Sequence, residues 1–285
     1  MGICNKIAGI AANLVLGAVR LKNVDAIQNQ IDTTADAAVK TGLLNELSSR
    51  VVTPYSVMAF FLLAVALIIQ RSSLPDISEQ VSEDGDTDLS RNKTSITQFP
   101  HAWLGAMAIF CYVGIEVMAG DLITVYGKNL GFKTDQSKYF TIFSLVGLLI
   151  GYALNIVIIP KYIKQERWLT ISALLGIGLT IVSYFAGDYM AVFCLACLGF
   201  ANAVMWPAIF PLGIRDLGRF TNTGSALLIM GIVGGALVPP FYGWLYEKSG
   251  LGFDFRSAFL FIMLICYVYI LWFGRSGHKM GFPKS

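Results

Sequence analysis

The chain has 285 residues, 55% of them hydrophobic and 14% charged, with a formal net charge of +3 and a mean hydropathy of +0.64. A soluble domain carries roughly 25% charged residues, so this chain is short of the groups that cover a water-facing surface and reads as an integral membrane protein. The positive charge is spread over short loops without a basic block, which excludes a nucleic-acid partner.

A helix needs about 20 apolar residues to cross roughly 30 Å of hydrocarbon. Eight runs qualify: 2–20, 51–70, 101–126, 139–160, 168–187, 190–213, 222–246 and 256–273. None alternates in the manner of an outer-membrane strand, so all eight are predicted as helices and the fold class as all-α. The opening run is long enough to span, with no basic leader before it and no small-residue cleavage site after it, and is expected to be a span rather than a cleavable signal.

Between the first two runs, residues 21–50 are polar, but Val24, Ile27, Ile31, Val39, Leu43 and Leu47 recur at intervals that fit an amphipathic helix outside the bilayer. After the second run, 72–98 holds Asp76, Glu79, Glu83, Asp84, Asp86 and Asp88 among Ser, Thr and Gly with no apolar period, the composition of a flexible acidic linker. Three units follow: 1–70 with two spans and the surface helix, 71–98 as a cytoplasmic linker, and 99–285 with six spans. With that linker in the cytoplasm, the short connections on its side carry eight basic residues, among them Lys161, Lys164, Arg215 and Arg219, against five on the other side. The bias is small and agrees with the positive-inside rule.

The third run holds two acids, Glu116 and Asp121. An ionised side chain in hydrocarbon costs at least ~2.5–3.5 kcal/mol on insertion scales, so such groups face a polar cavity or pathway. Glu116 lies about 22 Å into its run at 1.5 Å per residue, near or just beyond mid-depth. Asp121, five residues on, points about 140° around an ideal helix and nearer the outer surface. Buried acids in a chain built of spans point to a transporter.

Enzyme signatures are missing. The two histidines, His101 and His278, stand apart from any carboxylate or thiolate motif. No P-loop lysine is present, so ATP is not the driving force. All five cysteines lie in apolar runs, and the Cys194–Cys197 pair sits inside a long apolar helix, where packing is the simpler role. No metal and no cofactor are expected.

Three segments resemble the fucose–galactose–glucose proton symporter family of the major facilitator superfamily. The longest is GFANAVMWPAIFPLGIRDLGRFTNTGSALLIMGIVGGALVPP at 199–240, similar to that family's tenth and eleventh helices and the loop joining them. YVGIEVMAGDLI at 112–123 resembles its seventh helix, and NKIAGIAANLVLG at 5–17 its fifth. The resemblance implies a major facilitator type helical bundle in which the eight runs match helices five to twelve: the last two helices of an N-terminal half and a complete C-terminal half. Four helices of the family pattern would precede Met1. The chain is expected to be part of a twelve-helix carrier, with a genuine eight-span protein as the alternative.

Such carriers hold substrate near the midplane between two rocking halves. A sugar needs donors and acceptors for its hydroxyls and a flat aromatic partner for its C–H face. The resemblance implies a cavity-facing Glu116, a stacking Trp206 before Pro207, and a polar Asn5 at the sugar-facing end of the first run. Asn202, one turn before Trp206, and Asp121 complete the candidate substrate site; Asn13 and Asn155 are weaker candidates. Gly231, Gly234 and Gly235 leave a smooth face on which another helix approaches or slides.

The family's coupling acids lie on its first and fourth helices, and no residue of this chain matches them. The expected function is secondary transport of a glucose, galactose or fucose type hexose with protons across a bacterial inner membrane, by a monomer whose partners are sugar, proton and lipid. The alternative is a non-transporting relative acting as a membrane sensor or assembly partner.

Overall fold

The structure, a computed structural model, describes residues 4, 7–12, 27, 30–31, 33–34, 36–71, 93–137, 139–248 and 250–282. Asn5, Asn13 and most of the first run and of the acidic linker therefore lie outside the described residues.

The first long helix, α1 (Ala37–Arg71), has 35 residues, about 52 Å at 1.5 Å per residue. It passes without a break through the boundary that the sequence placed between a surface helix and a span. Its apolar part is Pro54–Ile68, shorter than a full span. Of the apolar residues that suggested the surface helix, Ile27 and Ile31 are buried and Val39 is exposed.

Six stretches are long and apolar enough to cross a membrane, and they match the last six predicted runs to within a few residues. They are built from α2 (Pro100–Gly120), α3 (Phe140–Lys161), α4 (Gln165–Phe185), the broken pair α5 (Asp188–Asn202) and α6 (Met205–Gly213), the broken pair α7 (Thr221–Met230) and α8 (Gly234–Glu247), and α9 (Phe255–Arg275). Beyond α2 a two-residue turn, Asp121–Leu122, leads into a short helix, Ile123–Asn129, which carries the same run onward.

Helix boundaries follow local chemistry. Pro100 opens α2 at a position where the missing N–H is no loss. Asp254 opens α9 with a capping box: its carboxylate accepts from the backbone N–H of Ser257 at 3.1 Å, and the Ser257 hydroxyl meets both the Asp254 carboxylate and its backbone. These bonds hold the Asp254 carboxyl below its ordinary range.

The bundle closes around α2, which packs against α5, α6, α7, α8 and α9, while α3 packs on α5 and α4 on both α5 and α9. Ala108, Ile109, Tyr112, Ile115, Met118 and Ala119 of α2 are all buried. Without a hydrophobic force between helices in lipid, close backbone approach must hold them. Glycines supply it: a Cβ on Gly234 would enter the Phe110 carbonyl oxygen, one on Gly231 would lie 2.5 Å from the Ala106 carbonyl oxygen, and one on Gly114 would lie 2.6 Å from Val238 Cγ2. The Gly231–Gly235 face is thus closed against α2.

The Arg215–Arg219 connection ties down its own end of the bundle. His101 Nε2 lies 2.9 Å from the Arg215 carbonyl, Phe282 packs its ring 5.0 Å from His101, and Arg219 donates to the Lys93 carbonyl at 2.6 Å. Asp216 sits at φ 55, the left-handed region, so the turn is tight.

Candidate substrate-binding site

Tyr112 and Glu116 stand one helical turn apart on α2 and so share a face. Taken with the helix that continues it, α2 reaches from Pro100 to Asn129. Glu116 lies just past the middle of that length. Tyr112 is fully buried and Glu116 half-buried. The Glu116 carboxylate lies near the Tyr112 phenol and the hydroxyl of Tyr152 on α3, close enough for its charge to act on both. Two helices thus bring three oxygen-bearing side chains near one another.

The aromatic part comes from α6. The Trp206 ring centroid lies 6.3 Å from that of Tyr112 at a tilt of 51°, and Trp206 stacks on Phe210 at 5.8 Å and 21°. Its position follows from two prolines. Pro207 lacks an N–H for the carbonyl four residues earlier, at Ala203, and the chain there turns out of helix at 203–204. Pro211 likewise leaves the Pro207 carbonyl without a helical donor, and the side-chain amide of Gln165 on α4 donates to that oxygen at 3.0 Å. Trp206, half-buried, begins the short helix that this break reorients.

Asn202 lies on the other side of the break. Its side chain is fully buried, and its Oδ1 accepts from the Tyr267 hydroxyl at 2.7 Å. That bond is a strut between α5 and α9, while Asn202 Nδ2 is buried with no hydrogen-bond partner among the described residues; the turn at 203–204 interrupts the continuous helix that i, i+4 spacing to Trp206 assumed. Asn155 is a second strut: its Oδ1 accepts from Trp168 Nε1 at 2.7 Å. Asp121 is exposed at the turn after α2, apart from the half-buried face that carries Glu116. Asn5 lies outside the described residues.

Four further participants carry no spacing signal that points to the site. Tyr152, Phe210 and Gln165 stand on helices whose rotation only packing sets, and Tyr112 was visible only as the residue one turn before Glu116. An apolar groove of about 540 Å³ between α3 and α5, lined by Phe143, Ile150, Phe193 and Phe200 among others, shares no residue with this constellation and offers sugar hydroxyls almost nothing. Among the described residues no three His, Cys, Asp or Glu side chains gather as a metal site.

A half-buried carboxylate, two phenols and an indole lie near one another where α2, α3 and α6 come together. No model of a known protein family matches the chain. Individual proteins do. It is 31% identical over 250 residues to the glucose/galactose transporter of Brucella abortus, covering 85% of this chain and 57% of that protein. A Helicobacter pylori protein carrying the glucose/galactose transporter name is 32% identical over 232 residues, 79% of this chain and 54% of its own length. The L-fucose-proton symporter of Escherichia coli is 28% identical over 230 residues, 78% and 50% respectively. The chain thus spans about half to three-fifths of the curated relatives it matches. The crystal structure of the Escherichia coli fucose:proton symporter superposes with a TM-score of 0.63 at 25% identity over 88% of this chain and 60% of that one. By sequence and fold, this chain is similar to members of the fucose and glucose/galactose transporter family of the major facilitator superfamily, which are membrane transporters and not enzymes, and it covers part of their length.

Proposed function

We propose that this chain contributes the sugar-recognising C-terminal half, residues 99–285, of a hexose carrier in a bacterial inner membrane, together with the last two helices of the N-terminal half in 1–70 and the linker 71–98 between them. In this reading the eight runs are eight spans, and the sugar moves by alternating access with protons. The names of the relatives support a hexose of the glucose, galactose or fucose type. The observation that carries the reading is the junction of Glu116, Tyr112 and Tyr152 with the indole of Trp206. Hydroxyls of the sugar exchange hydrogen bonds with the carboxylate and phenols while its C–H face lies on the indole. Asp121, exposed at the outer turn, is an entrance carboxylate, and Asn5 a contact from the N-terminal half.

The test is calorimetric binding of D-galactose, D-glucose and L-fucose to the full chain in lipid nanodiscs. One of the three binds, and Trp206→Ala weakens it about tenfold, equivalent to ~1.4 kcal/mol; Glu116→Ala weakens it further. Binding unchanged in both variants removes the site, and no binding of any of the three removes the function.

A further inference from the structure

Two neighbouring helices, α4 and α9, each carry an exposed apolar stripe that ends in an arginine. On α9, Phe261, Ile265, Val268 and Trp272 are exposed at intervals of four and three, and exposed Arg275 follows three residues later. On α4, Ile171, Leu174, Ile181 and Val182 are exposed, and exposed Arg167 stands one turn before Ile171. Such spacing puts each set on one face of its helix. The two helices run antiparallel in close contact: a Cβ on Gly176 would enter the Tyr267 ring, and one on Gly274 would lie 3.3 Å from Leu169. Moving from Gly176 back to Leu169 thus matches moving from Tyr267 on to Gly274, so Arg167 and Arg275 come to the same end of the pair.

Among the described residues, neither Arg167 nor Arg275 forms an ion pair. At the opposite end of α9 the arginine is satisfied within the protein, since Arg256 pairs with Asp188 and donates to the Ala186 carbonyl at 3.1 Å. Around Arg167 and Arg275 the chain adds Lys161, Lys164 and Lys279, all exposed, and Glu166 is the only acid in 161–170 and 272–282. Surplus positive charge therefore stands where two apolar stripes end.

Both helices are long and apolar enough to cross a membrane. An apolar stripe on such a helix takes a hydrocarbon cover, and a guanidinium at its end takes an anion. One molecule supplies both when acyl chains lie on the stripes and a phosphate meets the arginines, whose planar fork matches two phosphate oxygens. Trp272, one turn before Arg275, has the amphipathic ring that sits at headgroup level. Basic pockets between membrane helices take anionic headgroups, each nearby Lys or Arg adding to the attraction. A choline headgroup brings its own cation into the surplus positive charge and is disfavoured. We propose that the α4–α9 edge at Arg167 and Arg275 is a binding site for an anionic glycerophospholipid, its phosphate held by the two guanidiniums and its acyl chains lying along the two stripes. The site shares no residue with the Glu116–Trp206 constellation.

The experiment titrates the full chain, freed of lipid in detergent, with an equimolar mixture of phosphatidylglycerol and phosphatidylcholine of matched acyl chains. Bound lipids are counted by native mass spectrometry, with no sugar present, so the outcome is independent of the proposed function. Wild type retains phosphatidylglycerol in preference as its first lipid. A basic residue beside the headgroup is worth about fivefold in affinity, so Arg167→Gln and Arg275→Gln each lower that preference about fivefold, and the pair of changes brings it toward parity. Both side chains are exposed, and the two single variants read the site separately should one of them fail to fold. Lys128→Gln with Lys133→Gln is the control: these exposed lysines follow the far end of α2, where Phe132 packs on Tyr189 at the start of α5, and the preference stays. Excess inorganic phosphate, which has no acyl chain, leaves the lipid bound. Equal retention of the two lipids by wild type overturns the inference, as does an unchanged preference in the arginine variants or an equal loss in the lysine control. Displacement of the lipid by phosphate overturns it too, because the anion alone would then account for the site.

Discussion

The side-chain amide of Gln165 completes the backbone of Pro207, donating at 3.0 Å to a carbonyl that Pro211 cannot serve. Pro207 is half-buried, and its backbone carbonyl, which its own helix cannot serve, takes its donor from a neighbouring helix. The same bond sets where α6 sits against α4, and hence where Trp206 presents its ring.

Gln165→Leu keeps much of the side-chain volume and removes the donor. The unsatisfied carbonyl destabilises the bundle by about 1–3 kcal/mol. A lower melting temperature in detergent, with sugar affinity reduced although no sugar-facing group has changed, is the expected result. An unaltered melting curve would show that the carbonyl finds another donor.

Tyr267 and Asn202 form the second buried pair around the helix break. Tyr267→Phe leaves the Asn202 carboxamide oxygen buried without its donor and lowers stability by about 1–3 kcal/mol. The paired change with Asn202→Leu recovers part of that loss, since an apolar pair has nothing left to satisfy. A double-mutant cycle in thermal or chemical denaturation reads the coupling.

Gly234 lies against backbone, not against a movable side chain: the added Cβ meets the carbonyl of Phe110. Gly234→Ala therefore forces α8 away from α2 and destabilises by about 1–3 kcal/mol, the range for overpacking. Gly243→Ala is the control, because nothing lies within 4 Å of a Cβ built there. Equal melting temperatures for the two variants would remove the account of the α2–α8 contact.

Asp254 links stability to pH. Its carboxyl is held below the ordinary value by the Ser257 hydroxyl and N–H. A folded value below the unfolded one means that the carboxylate's contribution is fully present above about pH 3.9 and is lost as pH falls through the lowered folded value. Asp254→Ala accordingly lowers stability at neutral pH by about 1 kcal/mol, the usual worth of a helix cap, with no change in that difference between about pH 5 and 8. Melting curves of wild type and variant converge in acid; a constant gap down to about pH 2 would show that the charge plays no part.

The sequence by itself determined the six helices long and apolar enough to cross a membrane, because length and hydropathy are properties of each segment alone, and it carried Pro207 in the fourth of them, where the helix breaks. It did not reveal that Asn202 accepts from Tyr267, that Tyr152 lies near Glu116, or that Gln165 completes Pro207. Each of these depends on how one helix is rotated against another far away in sequence. That rotation is decided by close backbone contacts such as Gly234 on Phe110, which exist only once the bundle has packed.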